Sequence, residues 1–197
     1  MAEKRLGTVN QIAKLTCEAV KEVLEAATGS RIRYAPTVQR VPMVSLKPDL
    51  GCFIEFTGDY NGLFCMNFSG AAALELYRRA MTFMGMPEEE LARDYTSDEV
   101  VNFIGEMVNQ VIGAVRRKIE QQFGLTARNS QPRAIAINQT ITLLLNTMID
   151  RPQCRRLSFR TEDSAPFYVE LGLEQTEFIP LEAPQEVDVD EILAQFG

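Results

Sequence analysis

The residues with chemistry to offer lie along one stretch of predicted helix. Asn102, Glu106, Asn109 and Gly113 follow at i, i+4, i+7 and i+11. At about 100° per residue they fall within roughly 60° of one another. The stripe holds two amides and one carboxylate, and it ends in a residue with no side chain. A face made only for solubility would carry Lys and Glu pairs. A mid-helix Gly costs about 1 kcal/mol relative to Ala, so its presence points to something that approaches the helix closely. Other catalytic chemistry is bounded by what the chain lacks. It contains no histidine, which excludes Ser-His-Asp and Cys-His catalysis, a histidine general base and any His-containing zinc site. Its four cysteines, Cys17, Cys52, Cys65 and Cys154, form no C-x-x-C pair and are widely and irregularly spaced. In their apolar surroundings they read as buried, reduced thiols, not as metal ligands.

The stripe needs a scaffold, and hydrophobic spacing supplies one. Thr8 to Ala27 reads as a helix stopped by Gly29. Arg33 to Leu46, broken by prolines, reads as extended with one short strand. Gly51 to Ser69 is a hairpin about the polar turn Gly58-Asp59-Tyr60-Asn61-Gly62. Gly70 to Gly85 is a second helix, followed by a short turn starting at Pro87. Thr96 to Gln122 is the longest helix. Its start, Thr96-Ser97-Asp98-Glu99, reads as a capping box built on Thr96 and Glu99. Val101, Ile104, Val108, Val111, Ile112, Val115 and Ile119 give its apolar face. Arg116, Arg117 and Lys118 sit near its C-terminal end, where the helix dipole favours cations. Ala134 to Leu145 fits a strand, and Arg155 to Arg160 with Pro166 to Leu173 form a second hairpin. The expected fold class is α+β: an antiparallel β-sheet packed with helices, one of them long. Residues 1–174 form the domain. Residues 175–197 are an acidic linker and a short amphipathic tail, with Val189, Ile192, Leu193 and Phe196 on one side.

Composition narrows the partners. The 197 residues carry a net charge of −7, with 46% hydrophobic and 24% charged residues. That sign argues against non-specific nucleic-acid binding. The N-terminal segment has no secretory pattern, and no apolar run reaches the roughly 18 residues a membrane span needs. The expected location is the cytoplasm.

Glu106-x-x-Asn109, followed after 22 residues by Pro132, resembles the signature of the CheC/CheX-type chemotaxis phosphatases. The surroundings resemble that family too: Phe56-Thr57-Gly58-Asp59 with Gly62-Leu63, Met84-Gly85-Met86-Pro87, Gly105-Glu106, and Asn109 to Gly113. With one such signature per chain, the sequence resembles CheX more than the two-site CheC. The resemblance implies a CheX-like fold and dephosphorylation of the aspartyl phosphate of a CheY-like response regulator. In that chemistry Asn109 would hold the attacking water in line, and Glu106 would pair with the regulator's active-site lysine. Asn102 and Gly113 would complete the helix face, and Pro132 would be structural. No cofactor of its own is implied, since Mg²⁺ would sit on the regulator. A homodimer joined through sheet edges is implied as well. The first signature position, Asp or Ser in the family, is Asn102 here, so a regulator-binding module without turnover stands as the alternative. The tail resembles the acidic peptide by which flagellar switch proteins capture the chemotaxis regulator.

Overall fold

The computed structural model describes residues 7–47, 49–136, 143–144, 152–175 and 177–178. Helix α1 (Thr8–Thr28) buries Val9, Ile12, Ala13, Val20 and Leu24 and ends at Gly29, whose φ of 61° closes the last turn by bonding the Glu25 carbonyl. Three short strands follow where the sequence reading expected one: β1 (Arg33–Tyr34), β2 (Gln39–Val41) and β3 (Ser45–Leu46). Pro36 and Pro42 have no N–H to give a ladder, so the edge is divided around them. The expected hairpin is β4 (Leu50–Gly58) and β5 (Gly62–Phe68), with every residue of β5 buried.

Helix α2 (Gly70–Phe83) starts at Ser69, whose hydroxyl accepts from the Ala72 N–H. A single 3₁₀ turn (Glu88–Glu90) follows, with Pro87 just before it. Helix α3 (Asp98–Phe123) is the longest element, as expected, but the capping box is not the one read from the sequence. Ser97 is the cap and accepts from the Val100 N–H, while the Thr96 hydroxyl donates to Asp94 Oδ1. The dipole reading of Arg116, Arg117 and Lys118 also fails. The helix runs on to Phe123 with no base in its last turn; Arg116 Nη1 donates to Asn129 and Lys118 Nζ to Glu22.

The remaining strands are β6 (Ala127–Asn129), β7 (Arg133–Ala136), β8 (Leu143–Leu144), β9 (Gln153–Arg160) and β10 (Pro166–Leu173). Of the strand expected over Ala134 to Leu145, residues 137–142 and Leu145 lie outside the described residues. Eight strands form one antiparallel sheet. Its core order is β9-β10-β5-β4, with β1 and β2 both on β9 and β6 and β7 both on β4. Strands β3 and β8 pair separately.

The three helices cover one face of the sheet. Phe64, Met66, Phe68, Phe159, Phe167 and Leu171 point into that core, with Phe167 stacked on both Phe68 and Phe159 at 5.3 and 5.1 Å. The other face carries a smaller cluster of Val44, Leu46, Leu63, Cys65 and Cys154. There Leu46 lies on Gly51 so closely that a Cβ at 51 would stand 1.8 Å from its Cδ2. Glu170, fully buried on this face, is held by Arg156 and by the N–H and hydroxyl of Ser45. The last described residue, Phe178, donates its N–H to Thr8 Oγ1 at 2.9 Å and packs on the main core. The amphipathic pattern Val189, Ile192, Leu193 and Phe196 lies outside the described residues.

Candidate functional site

Helix α3 divides its sides sharply. Val100, Ile104, Met107, Val108, Val111, Ile112, Val115 and Ile119 are buried. On the opposite side Asn102, Glu106 and Asn109 are exposed, and Gly113 is half-buried. The four residues of the stripe therefore share one outward face, and Glu106 and Asn109 stand about 4.5 Å apart along the axis, just under one turn of helix. Glu106 Oε1 accepts from Gln110 Nε2 at 3.2 Å. Among the described residues nothing hydrogen-bonds the Asn109 amide, which leaves its oxygen and its NH₂ open to a partner or to water.

Gly113 was expected to mark a close approach. Among the described residues nothing crowds it: a Cβ there would meet only Arg117 Nη1, at 3.7 Å. The packing of the described residues thus does not require that the side chain be missing. The same distance places Arg117, read from the sequence as a cation for the helix dipole, beside the stripe. Side chains on a helix lean toward its N-terminus, and the Arg117 guanidinium folds back over Gly113, bringing a cation into the stripe. The signal was available as an Arg at i+4 from the glycine.

The backing of this helix is built by the sheet. Gly105, next to Glu106, faces Ala134 of β7, with 3.7 Å between the Ala134 Cβ and a Cβ placed on Gly105. Pro132 stands just before β7 and is half-buried. Phe53 pairs with Arg133 and Phe56 with Asn129, so two residues on β4 face three on the other strand, Ser130, Gln131 and Pro132. That is a bulge, and a proline suits it because no ladder N–H is needed there. Ser130 ties the bulge down from both sides: its N–H donates to the Glu55 carbonyl, and its hydroxyl accepts from the Glu55 N–H. At the far end of α3, the Asp59 carboxylate accepts from the N–H and hydroxyl of Thr126, and these bonds hold it below the usual carboxylate range. They fix the exit of the helix to the β4–β5 turn.

Such a face can orient hydrogen bonds and offer one carboxylate; it contains no nucleophile. Among the described residues no three His, Cys, Asp or Glu side chains gather as metal ligands would, and no helix is long and apolar enough to cross a membrane.

Residues 3–197 match the model of a family described as a protein of unknown function (DUF3334). No curated protein matches the chain by sequence. Solved structures do match in fold. The chemotaxis protein CheX of Desulfovibrio desulfuricans is 20% identical, with a TM-score of 0.67, over 83% of this chain and 99% of that one. CheX of Vibrio vulnificus is 16% identical, with a TM-score of 0.68 and coverage of 83% and 99%. A chain of the CheX-CheY-BeF3-Mg²⁺ complex of Borrelia burgdorferi is 13% identical, with a TM-score of 0.61 and coverage of 83% and 98%. The antiparallel sheet under helices, with one long helix, is the architecture these proteins share with this chain.

Proposed function

The chain belongs to the DUF3334 family and has the CheX-like fold, and from that premise we propose that it is a phosphatase for the aspartyl phosphate of a CheY-like receiver domain. One observation carries the reading: an exposed Asn109, unbonded among the described residues, stands one turn from an exposed Glu106 on the outer face of the longest helix. Phosphoryl transfer passes through a loose transition state, so the attacking water needs positioning more than deprotonation. In this reading the Asn109 carboxamide oxygen accepts from that water and holds it in line with the phosphorus. Glu106 pairs with a lysine of the receiver's active site and fixes the docking angle. Gly113 leaves clearance for the receiver, and Arg117 faces the negative charge around its phosphoryl group. In this reading the Mg²⁺ belongs to the receiver; the Borrelia burgdorferi complex of CheX and CheY includes BeF3 and Mg²⁺. A phosphatase of this kind works in the cytoplasm, where receivers are phosphorylated, and its dimer through sheet edges belongs to the same proposal.

The test is the decay of aspartyl phosphate on candidate receiver domains, with wild type beside Asn109→Ala and Glu106→Ala. Catalytic amounts of wild type accelerate the decay and both variants lose the effect. Asn102, in place of Asp or Ser, favours a second reading, a receiver-binding module without turnover. Receivers that bind the wild type but keep their phosphate at the spontaneous rate would establish it and end the enzyme reading.

A further inference from the structure

On the same side of the sheet as the helices, at the start of α1, lies a polar cleft of about 420 Å³. Gly7, Thr8, Val9 and Asn10 line it, together with Arg40 and Arg155. Two arginines and one acid, Glu177, line it. Arg40 on β2 and Arg155 on β9 are direct cross-strand partners, and like charges placed so are destabilising. Arg155 is only 7% exposed. Its Nε donates to Asn10 Oδ1 at 2.9 Å and its Nη1 to the Cys154 carbonyl at 3.0 Å, both neutral acceptors. Among the described residues neither arginine has a carboxylate within ion-pair distance, and nothing bonds Arg155 Nη2. Burial first, and then the charge of Arg40, hold the Arg155 guanidinium below its ordinary value.

Helix α1 adds to the same sign. It is 21 residues long, Gly7 caps it without a side-chain acceptor, and its first turn has no acid. Its positive dipole end and its first free amides therefore meet the cleft with no acid or side-chain cap from the helix's own first turn. A buried guanidinium, a second guanidinium opposite it and a bare helix N-terminus each cost free energy alone. One bound anion makes all three favourable.

We infer that this cleft is a binding site for a phosphate group, free or carried by a small phosphate ester, separate from the face of α3. Arg155 would give the buried hydrogen bond, Arg40 the outer one, and the amides of the first turn of α1 the rest. Glu177, which also lines the cleft, sets its selectivity by repelling ligands with charge beyond the phosphate.

The test is calorimetric titration of the whole chain with inorganic phosphate and with ethyl phosphate, each against chloride at matched ionic strength. Wild type binds at least one of them. Arg40→Gln, an exposed change that leaves the fold in place, weakens binding about tenfold, the worth of one charged hydrogen bond. Arg155→Gln abolishes it, and Glu177→Gln tightens it. Tighter binding of ethyl phosphate identifies an ester as the ligand; equal or weaker binding identifies free phosphate. No heat beyond chloride in the wild type, or equal binding in Arg40→Gln, overturns the inference. The same holds if Glu177→Gln leaves affinity unchanged while Arg40→Gln does too.

Discussion

The amide of Asn109 is the residue on which the proposed function turns. It is exposed and unbonded among the described residues, so its removal leaves no orphaned partner and no cavity. Asn109→Ala should therefore leave stability within about 0.5 kcal/mol while lowering receiver dephosphorylation by about 10²-fold or more, the loss expected when a reacting group is no longer positioned. Parallel urea melts and phosphate-decay rates check the two halves separately. Asn102→Asp introduces the residue that the resembled signature carries and should raise turnover by about tenfold or more, since a hydrogen bond to a charged group is worth about 1.5–3 kcal/mol. A rate unchanged by Asn102→Asp would remove that position from the site. The shared face of Asn102, Glu106, Asn109 and Gly113 was legible because helical period alone decides which residues lie together. The place of Arg117 over the stripe was not read, because it depends on the bend of a long side chain, which no wheel shows.

At the scale of the elements, Gly113 separates packing from function. A Cβ there meets nothing closer than the flexible end of Arg117 at 3.7 Å. Gly113→Ala should stabilise α3 by about 1 kcal/mol, read as a higher urea midpoint, and Gly113→Leu should keep the fold yet weaken receiver binding. Equal receiver affinity in Gly113→Leu would show that the partner does not cross this turn. The cap of the same helix shows why some boundaries were misread. Thr96 and Ser97 are adjacent hydroxyls, each a good cap, and local sequence does not choose between them. Asp94 does, by taking the Thr96 hydroxyl and amide. The edge strands were harder still: β1 and β2 are two and three residues long and exist because β9 offers its free side to them. By contrast β4, β5, β9 and β10 were legible because their apolar runs are long and their turns polar.

The whole molecule hides features that no local pattern holds. Asn10 and Arg155 meet across 145 positions, so the arginine cleft could not be read from spacing, whereas the burial of the thiols could. All four cysteines are free and buried. Burial pushes Cys17 and Cys52 up to about 12, Glu18 adding to the shift at Cys17 and a bond from the Arg133 backbone opposing it at Cys52; Cys65 and Cys154 are raised by the same cause. Burial likewise lifts Tyr60 and Tyr168 to about 12. In the unfolded chain the thiols ionise near pH 8.5 and the phenols near pH 10. Above those values the folded state holds more protons than the unfolded one, so stability falls as pH rises. The stabilisation is fully present below about pH 8 and drains between about 8.5 and 12, first through the thiols and then through the phenols. Each buried thiol contributes on the order of 1 kcal/mol per pH unit in that window. Urea midpoints measured at pH 7, 9 and 10 should therefore be level at first and then drop steeply, while a thiol reagent stays unreactive until the chain unfolds. Equal midpoints at pH 7 and 10, or rapid labelling at pH 8, would mean that these side chains reach solvent and that the core beneath the sheet is not closed.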